Sequence, residues 1–169
     1  ILHRLVGSEM CIRDRKHILR AIESLKNISD EIIVLDSKST DSTRDIAKSA
    51  GAKVYTQEFL GDGLQKKEAS NFASNSWIFS LDADEYLDQD LIDFIKKTDL
   101  SNISYDSFAF RRKNYCADEW IKAAGFYPDY VTRLYDKSRV NYDSRADHAA
   151  IVSKNTLKTN CHIVHTTYE

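Results

Sequence analysis

Three acids within four residues, Asp82, Asp84 and Glu85, follow directly on the apolar run Trp77-Ile78-Phe79-Ser80-Leu81. Such a run reads as a buried strand of a parallel sheet, and in open α/β sheets ligands bind beyond the carboxyl ends of the strands. Period-two alternation sends Asp82 and Asp84 to one side, where two carboxylates can hold a hard divalent cation through oxygen. Helix capping is the other reading of this spacing. Asp88-Gln89-Asp90 repeats it and there starts a helix carrying Leu91, Ile92 and Ile95.

The elements needed to position these acids can be read upstream. Ile18, Leu19, Ile22 and Leu25 form the stripe of an amphipathic helix. Ile32-Ile33-Val34-Leu35 is a β-branched strand ending in Asp36-Ser37-Lys38-Ser39-Thr40-Asp41-Ser42, a strand-to-helix turn with hydroxyl and acid caps. The next helix holds Ile46, Ala47 and Ala50 and closes at Gly51, before a strand over 52–56. Leu64 to Asn75 is predicted helical, with Gln65, Lys66 and Lys67 in its first turn. Lysines there oppose the macrodipole, so either an anionic ligand or a solvated face explains them. The alternation of helices and strands predicts a mostly parallel sheet with right-handed crossovers.

After the helix at 88–98, Tyr105 to Arg112 alternates as a strand, and 129–135 with 139–142 reads as a closing hairpin around Asp136-Lys137-Ser138. Between them lies an aromatic block with Trp120, Phe126, Tyr127 and the single proline, Pro128, which suits either a sugar face or plain core. His148, His162 and His165 occupy the tail, where a lone histidine is more often structural than a ligand.

The chain has 169 residues with 24 basic and 26 acidic side chains, net charge -2, which argues against a general polyanion binder, nucleic acid included. One domain with a sizeable core fits this length. No apolar run approaches the roughly 18–20 residues that span a bilayer. Cys11, Cys116 and Cys161 are odd in number and lack Cys-x-x-Cys spacing, which fits a reducing, cytoplasmic compartment. Residues 1–15 show no clear period, and Val6 to Arg15 resembles a translated sequencing adaptor. We therefore set them apart as non-native and take 16–169 as the domain, cut at both ends and lacking its first strand.

Three segments in this order, Val34-Leu35-Asp36-Ser37-Lys38-Ser39-Thr40-Asp41, Leu81-Asp82-Ala83-Asp84-Glu85 and the aromatic block, resemble the family 2 inverting glycosyltransferases of the GT-A fold. Arg111-Arg112-Lys113-Asn114-Tyr115, Gly125-Phe126-Tyr127-Pro128-Asp129 and Arg133-Leu134-Tyr135 are similar to the branch of lipopolysaccharide-core β-1,4-glucosyltransferases. The resemblance implies transfer of a sugar, glucose in that branch, from a UDP-sugar donor to a glycan or lipid-linked saccharide at the cytoplasmic face of a membrane. It implies Mg²⁺ or Mn²⁺ at Asp84 and Asp82, with Asp82 also against the donor, and His148 near the metal. Asp36 and Ser37 would face the nucleoside, and Gln65 and Lys66 would help hold the donor. Inversion needs a base for the acceptor hydroxyl, for which Asp129 is the first choice, with Asp118 and Glu119 behind it. A carboxylate that relatives carry after the histidine is absent here, where Asp147-His148-Ala149 stands.

Readings from other classes are a metal-dependent phosphotransferase, a nucleotidyltransferase, and a fragment that binds sugar nucleotide without turning it over. An Asp-x-Asp phosphotransferase motif normally sits on the first strand and continues Gly-Thr, whereas two strands precede Asp82 here.

Overall fold

The computed structural model describes residues 5–11, 15–123 and 125–166. One sheet runs through it, built from β1 (Leu5–Cys11), β2 (Glu31–Asp36), β3 (Lys53–Thr56), β4 (Trp77–Asp82), β5 (Glu85–Leu87), β6 (Ser107–Cys116), β7 (Glu119–Trp120), β8 (Asp129–Asp136) and β9 (Thr156–Thr166). The strands lie in the order β3-β2-β1-β4-β8-β6-β9-β5, with β7 paired to β6. β1 to β4 are mutually parallel, β8 enters antiparallel between β4 and β6, and β6 and β9 run parallel.

The helices are α1 (Ile18–Leu25), α2 (Thr43–Ser49), α3 (Asp62–Asn71) and α4 (Gln89–Lys97). α1 buries Ile18, Ala21, Ile22 and Leu25 completely, while Leu19 turns out to solvent. Gly51 ends α2 at φ +89°, the left-handed position that glycine takes without a Cβ penalty. Asp88 caps α4, its carboxylate accepting from the Gln89 N–H.

Alternation along the strands makes two cores. Ile32, Val34, Phe79, Leu81, Phe108, Phe110 and Leu134 pack with α1 and α4 on one face, whereas Ile33, Ile78 and Tyr135 pack with Tyr142 and Ile151 on the other.

One expectation is corrected. The hairpin at 129–142 does not form: β8 has β4 on one edge and β6 on the other, so no edge remains for 139–142, and Tyr142 bridges Ile151 instead. Leu5–Cys11, part of the segment set apart as adaptor-like, takes the slot between β2 and β4. Ladder hydrogen bonds come from the backbone, so a stretch without a side-chain period can still take a central slot. Residues 1–4 and 12–14 of the adaptor-like segment lie outside the described residues.

Candidate active site

The carboxyl ends of β2 and β4 are level because β1 registers Cys11 beside Asp36 and Met10 beside Asp82. The order 3-2-1-4 reverses at β1, which puts the end of β4 at the topological switch point where open sheets bind ligands. There lies a cavity of about 580 Å³, lined by Asp62, Lys66, Asp82, Asp84, Arg112 and Arg133 among others. That is within the range of small-molecule sites.

Asp82 and Asp84 both reach this cavity but have different neighbours. Asp82 Oδ2 accepts from Arg133 on β8, and Oδ1 lies 3.1 Å from Lys66 Nζ. Burial opposes the charge on Asp82, yet Arg133 and Lys66 outweigh it and hold the carboxyl well below the usual range. Lys66 also meets Asp62 Oδ1 at 2.8 Å. Neither a solvated face nor an anionic ligand is needed to explain this lysine: it is buried, and two carboxylates face it. Arg133 pairs further with Glu85 Oε1 at 2.7 Å, and Glu85 is in turn 3.3 Å from Arg112. Burial disfavours the Arg133 charge, but Asp82 and Glu85 raise its pKa well above the ordinary value.

Asp84 faces a histidine. His165 Nε2, from β9, lies 3.1 Å from Asp84 Oδ2, and the backbone N–H of Thr166 donates to the Asp84 carbonyl at 3.1 Å. His148 lines the same cavity from the 143–150 loop, exposed and at φ +50°.

Asp129 opens β8, its Oδ2 accepting from Arg112 Nε at 2.8 Å and from Asn114 Nδ2 at 3.3 Å. Through Arg112 it adjoins the cavity. Asp118 and Glu119 stand exposed at the turn between β6 and β7, outside the cavity lining. Gln65 is fully buried, accepting from the Leu60 N–H at 3.3 Å and donating to Ser37 Oγ at 3.0 Å. It ties the end of β2 to the loop before α3.

Asp36 is buried, with Oδ2 accepting from the Ser39 N–H at 2.9 Å and Oδ1 lacking a hydrogen-bond partner among the described residues. Buried acceptors left open in this way are uncommon and mark places where a ligand can bind. The aromatic block packs largely on itself. Trp120 meets Tyr127 edge to face at 5.1 Å, and Tyr130 alone of the tyrosines at 115–130 lines the cavity.

Sequence reasoning did not assign roles to Arg133, Arg112, Glu85, Asn114 or His165. Glu85 was visible as the third acid at the strand end and the arginines as charges at alternating strand positions that a buried face would have to pair, but their partners lie on other strands.

The sequence matches the family described as Glycosyl transferase family 2 over residues 10–159. Among curated proteins, an uncharacterized glycosyltransferase of Rickettsia bellii is 52% identical over 127 residues, covering 74% of this chain and 43% of that protein. The lipopolysaccharide core biosynthesis glycosyltransferase LpsC of Rhizobium meliloti is 27% identical over 159 residues, covering 88% of this chain and 57% of that protein. The chain thus spans less than half the length of the rickettsial relatives it matches. Of solved structures, S. aureus TarS 1-349 in complex with UDP-GlcNAc superposes with a TM-score of 0.72 at 14% identity, over 99% of this chain and 59% of that one. Glucosyl-3-phosphoglycerate synthase of Mycobacterium tuberculosis, in complex with Mn²⁺, UDP and glucosyl-3-phosphoglycerate, gives 0.52 at 22% identity over 64% and 43%. At these identities the likeness is one of fold.

Proposed function

The chain belongs to glycosyl transferase family 2, and from that premise we propose that its cavity takes a nucleotide-diphosphate sugar and that the protein transfers the sugar to a glycan acceptor with inversion. The observation that carries this reading is the pairing of Asp84 Oδ2 with His165 Nε2 at 3.1 Å in a cavity at the end of β4. A carboxylate oxygen and an imidazole nitrogen that close together form the kind of O,N pair that binds Mn²⁺. Asp84 and His165 would hold the ion, with Asp82 beside them and His148 on the facing loop. A divalent cation there supplies Lewis-acid neutralisation of the charge that builds on a departing nucleoside diphosphate.

This chain's own groups do the rest. Asp36 Oδ1, buried and without a hydrogen-bond partner among the described residues, offers an acceptor to a nucleobase N–H at the end of β2. Lys66 and Arg133, held in place by Asp82, Asp62 and Glu85, bring N–H donors to the cavity that takes the diphosphate. Asp129 takes the proton of the acceptor hydroxyl, its carboxylate oriented by Arg112 and Asn114. TarS with UDP-GlcNAc and the mycobacterial synthase with Mn²⁺ and UDP support the choice of donor class and metal. LpsC supports a lipopolysaccharide-core acceptor, and with it peripheral association at a membrane.

Calorimetric titration of UDP into the chain, with Mn²⁺ or with EDTA, tests the reading. We expect binding that requires Mn²⁺ and is lost in Asp84→Ala. UDP binding that survives both EDTA and Asp84→Ala would overturn it.

A further inference from the structure

Asn114 sits on β6 directly beside His165 on β9, an in-register pair of the parallel ladder, and is 93% buried, with a relative exposure of 7%. Its side chain has three neighbours. Nδ2 donates to the carbonyl of Phe126 at 3.2 Å and to Asp129 Oδ2 at 3.3 Å, while Oδ1 lies 2.8 Å from His165 Nδ1.

These contacts fix the amide's orientation. A carbonyl and a carboxylate only accept, so the NH₂ end must face Phe126 and Asp129, which leaves Oδ1 for the histidine. Oδ1 in turn can only accept, so the proton of His165 belongs on Nδ1. Asp84 Oδ2, 3.1 Å from Nε2, only accepts as well, so with Nδ1–H held by Asn114 it is Nε2 that gives up its proton and offers its lone pair when a metal binds.

We propose that Asn114 is a positioning residue that sets the His165 tautomer for metal binding at Asp84 and, through the same amide, orients the Asp129 carboxylate. This rests on the donor-site reading above. One side chain thereby joins the metal side of the cavity at Asp84, in the turn after β4, to the base side at Asp129.

The test titrates Mn²⁺ into the chain with UDP present, reading free Mn²⁺ by electron paramagnetic resonance and imidazole-nitrogen coupling at the bound ion by its pulsed form. In the unchanged chain we expect Mn²⁺ binding with nitrogen coupling. In Asn114→Ala, affinity should fall by about tenfold, the lower end of what loss of such a partner costs a ligating histidine, and the nitrogen coupling should weaken. Retained nitrogen coupling in Asn114→Ala overturns the inference and leaves the donor site standing. Absence of Mn²⁺-dependent UDP binding in the unchanged chain overturns both.

Should Asn114→Ala not fold, Asn114→Ser reads the same link. Its shorter side chain withdraws the acceptor from Nδ1 without adding charge beside Asp129, so Mn²⁺ affinity and nitrogen coupling should fall as in the alanine variant. Unchanged affinity and coupling there overturn the inference.

Discussion

Asp82 and Asp84 stand two positions apart and share a cavity, yet one is paired with two cations and the other with a histidine. The pair is therefore asymmetric in what it can do. Asp82 holds Lys66 and Arg133 in place, and Asp84 is the acid whose partner is itself a metal-ligand type. Because the folded pKa of Asp82 is depressed, its stabilising contribution is present above the unfolded value, about 3.9, and is lost as pH falls below that toward the folded value. We expect Asp82→Asn to lower stability at pH 7 and to flatten the acid limb of the stability curve between about pH 4 and 2, measured by urea unfolding across pH. An unchanged acid limb would mean that the Arg133 and Lys66 contacts contribute no net stability. Screening moderates the effect, since the Asp82 side chain is 29% exposed.

At the scale of elements, the cavity wall is a loop fastened to a helix start. The N–H groups of Asp62 and Gly63 donate to Ala146 and Arg145, and Asp62 Oδ2 accepts from the Ala149 N–H at 2.8 Å. Asp62 Oδ1 pairs with Lys66, so one carboxylate ties the loop bearing His148 to the lysine on the cavity floor. Gly63 makes this possible: a Cβ there would lie 1.9 Å from the Asp143 carbonyl oxygen, a backbone atom that cannot turn aside. Gly63→Ala should therefore displace the 143–150 loop and destabilise the fold by about 1–3 kcal/mol, as overpacking does. Thermal unfolding together with amide exchange in the loop checks this, and unchanged protection at Ala149 would show that the contact is not tight. Sequence reading found α3 but began it two residues late and missed this role of Gly63, because the atom that excludes a side chain belongs to a segment 80 positions away.

For the molecule as a whole, the larger core holds the two halves of the sheet together. Phe79 on β4 stacks on Phe110 of β6 at 5.7 Å, and Phe94 of α4 meets the Phe110 ring edge-on. Phe110 is fully buried, so Phe110→Ala should cost about 3–5 kcal/mol, seen as a large drop in the denaturation midpoint. Because β8 and β6 carry Arg133, Arg112 and Asn114, partial loss of this packing should also weaken Mn²⁺-dependent UDP binding below the unfolding transition. Among the described residues no helix is long and apolar enough to cross a membrane.

What the sequence determined by itself is what local physics controls. The period of α1, the β-branched run of β2, the Gly51 stop, the Asp88 cap and the acids ending β4 each depend on neighbours a few residues away, and they were enough for a mostly parallel α/β sheet whose β4 ends in acids that reach a cavity. Tertiary structure decided the rest, because the deciding partners are remote along the chain. Arg133 meets Asp82 across 51 positions, and His165 meets Asp84 across 81. No periodicity encodes such pairings; they exist only because β8 inserts between β4 and β6, and β9 returns alongside β6. The same insertion removed the free edge that a 129–142 hairpin would have needed. It also made His165, rather than His148, the histidine that meets Asp84.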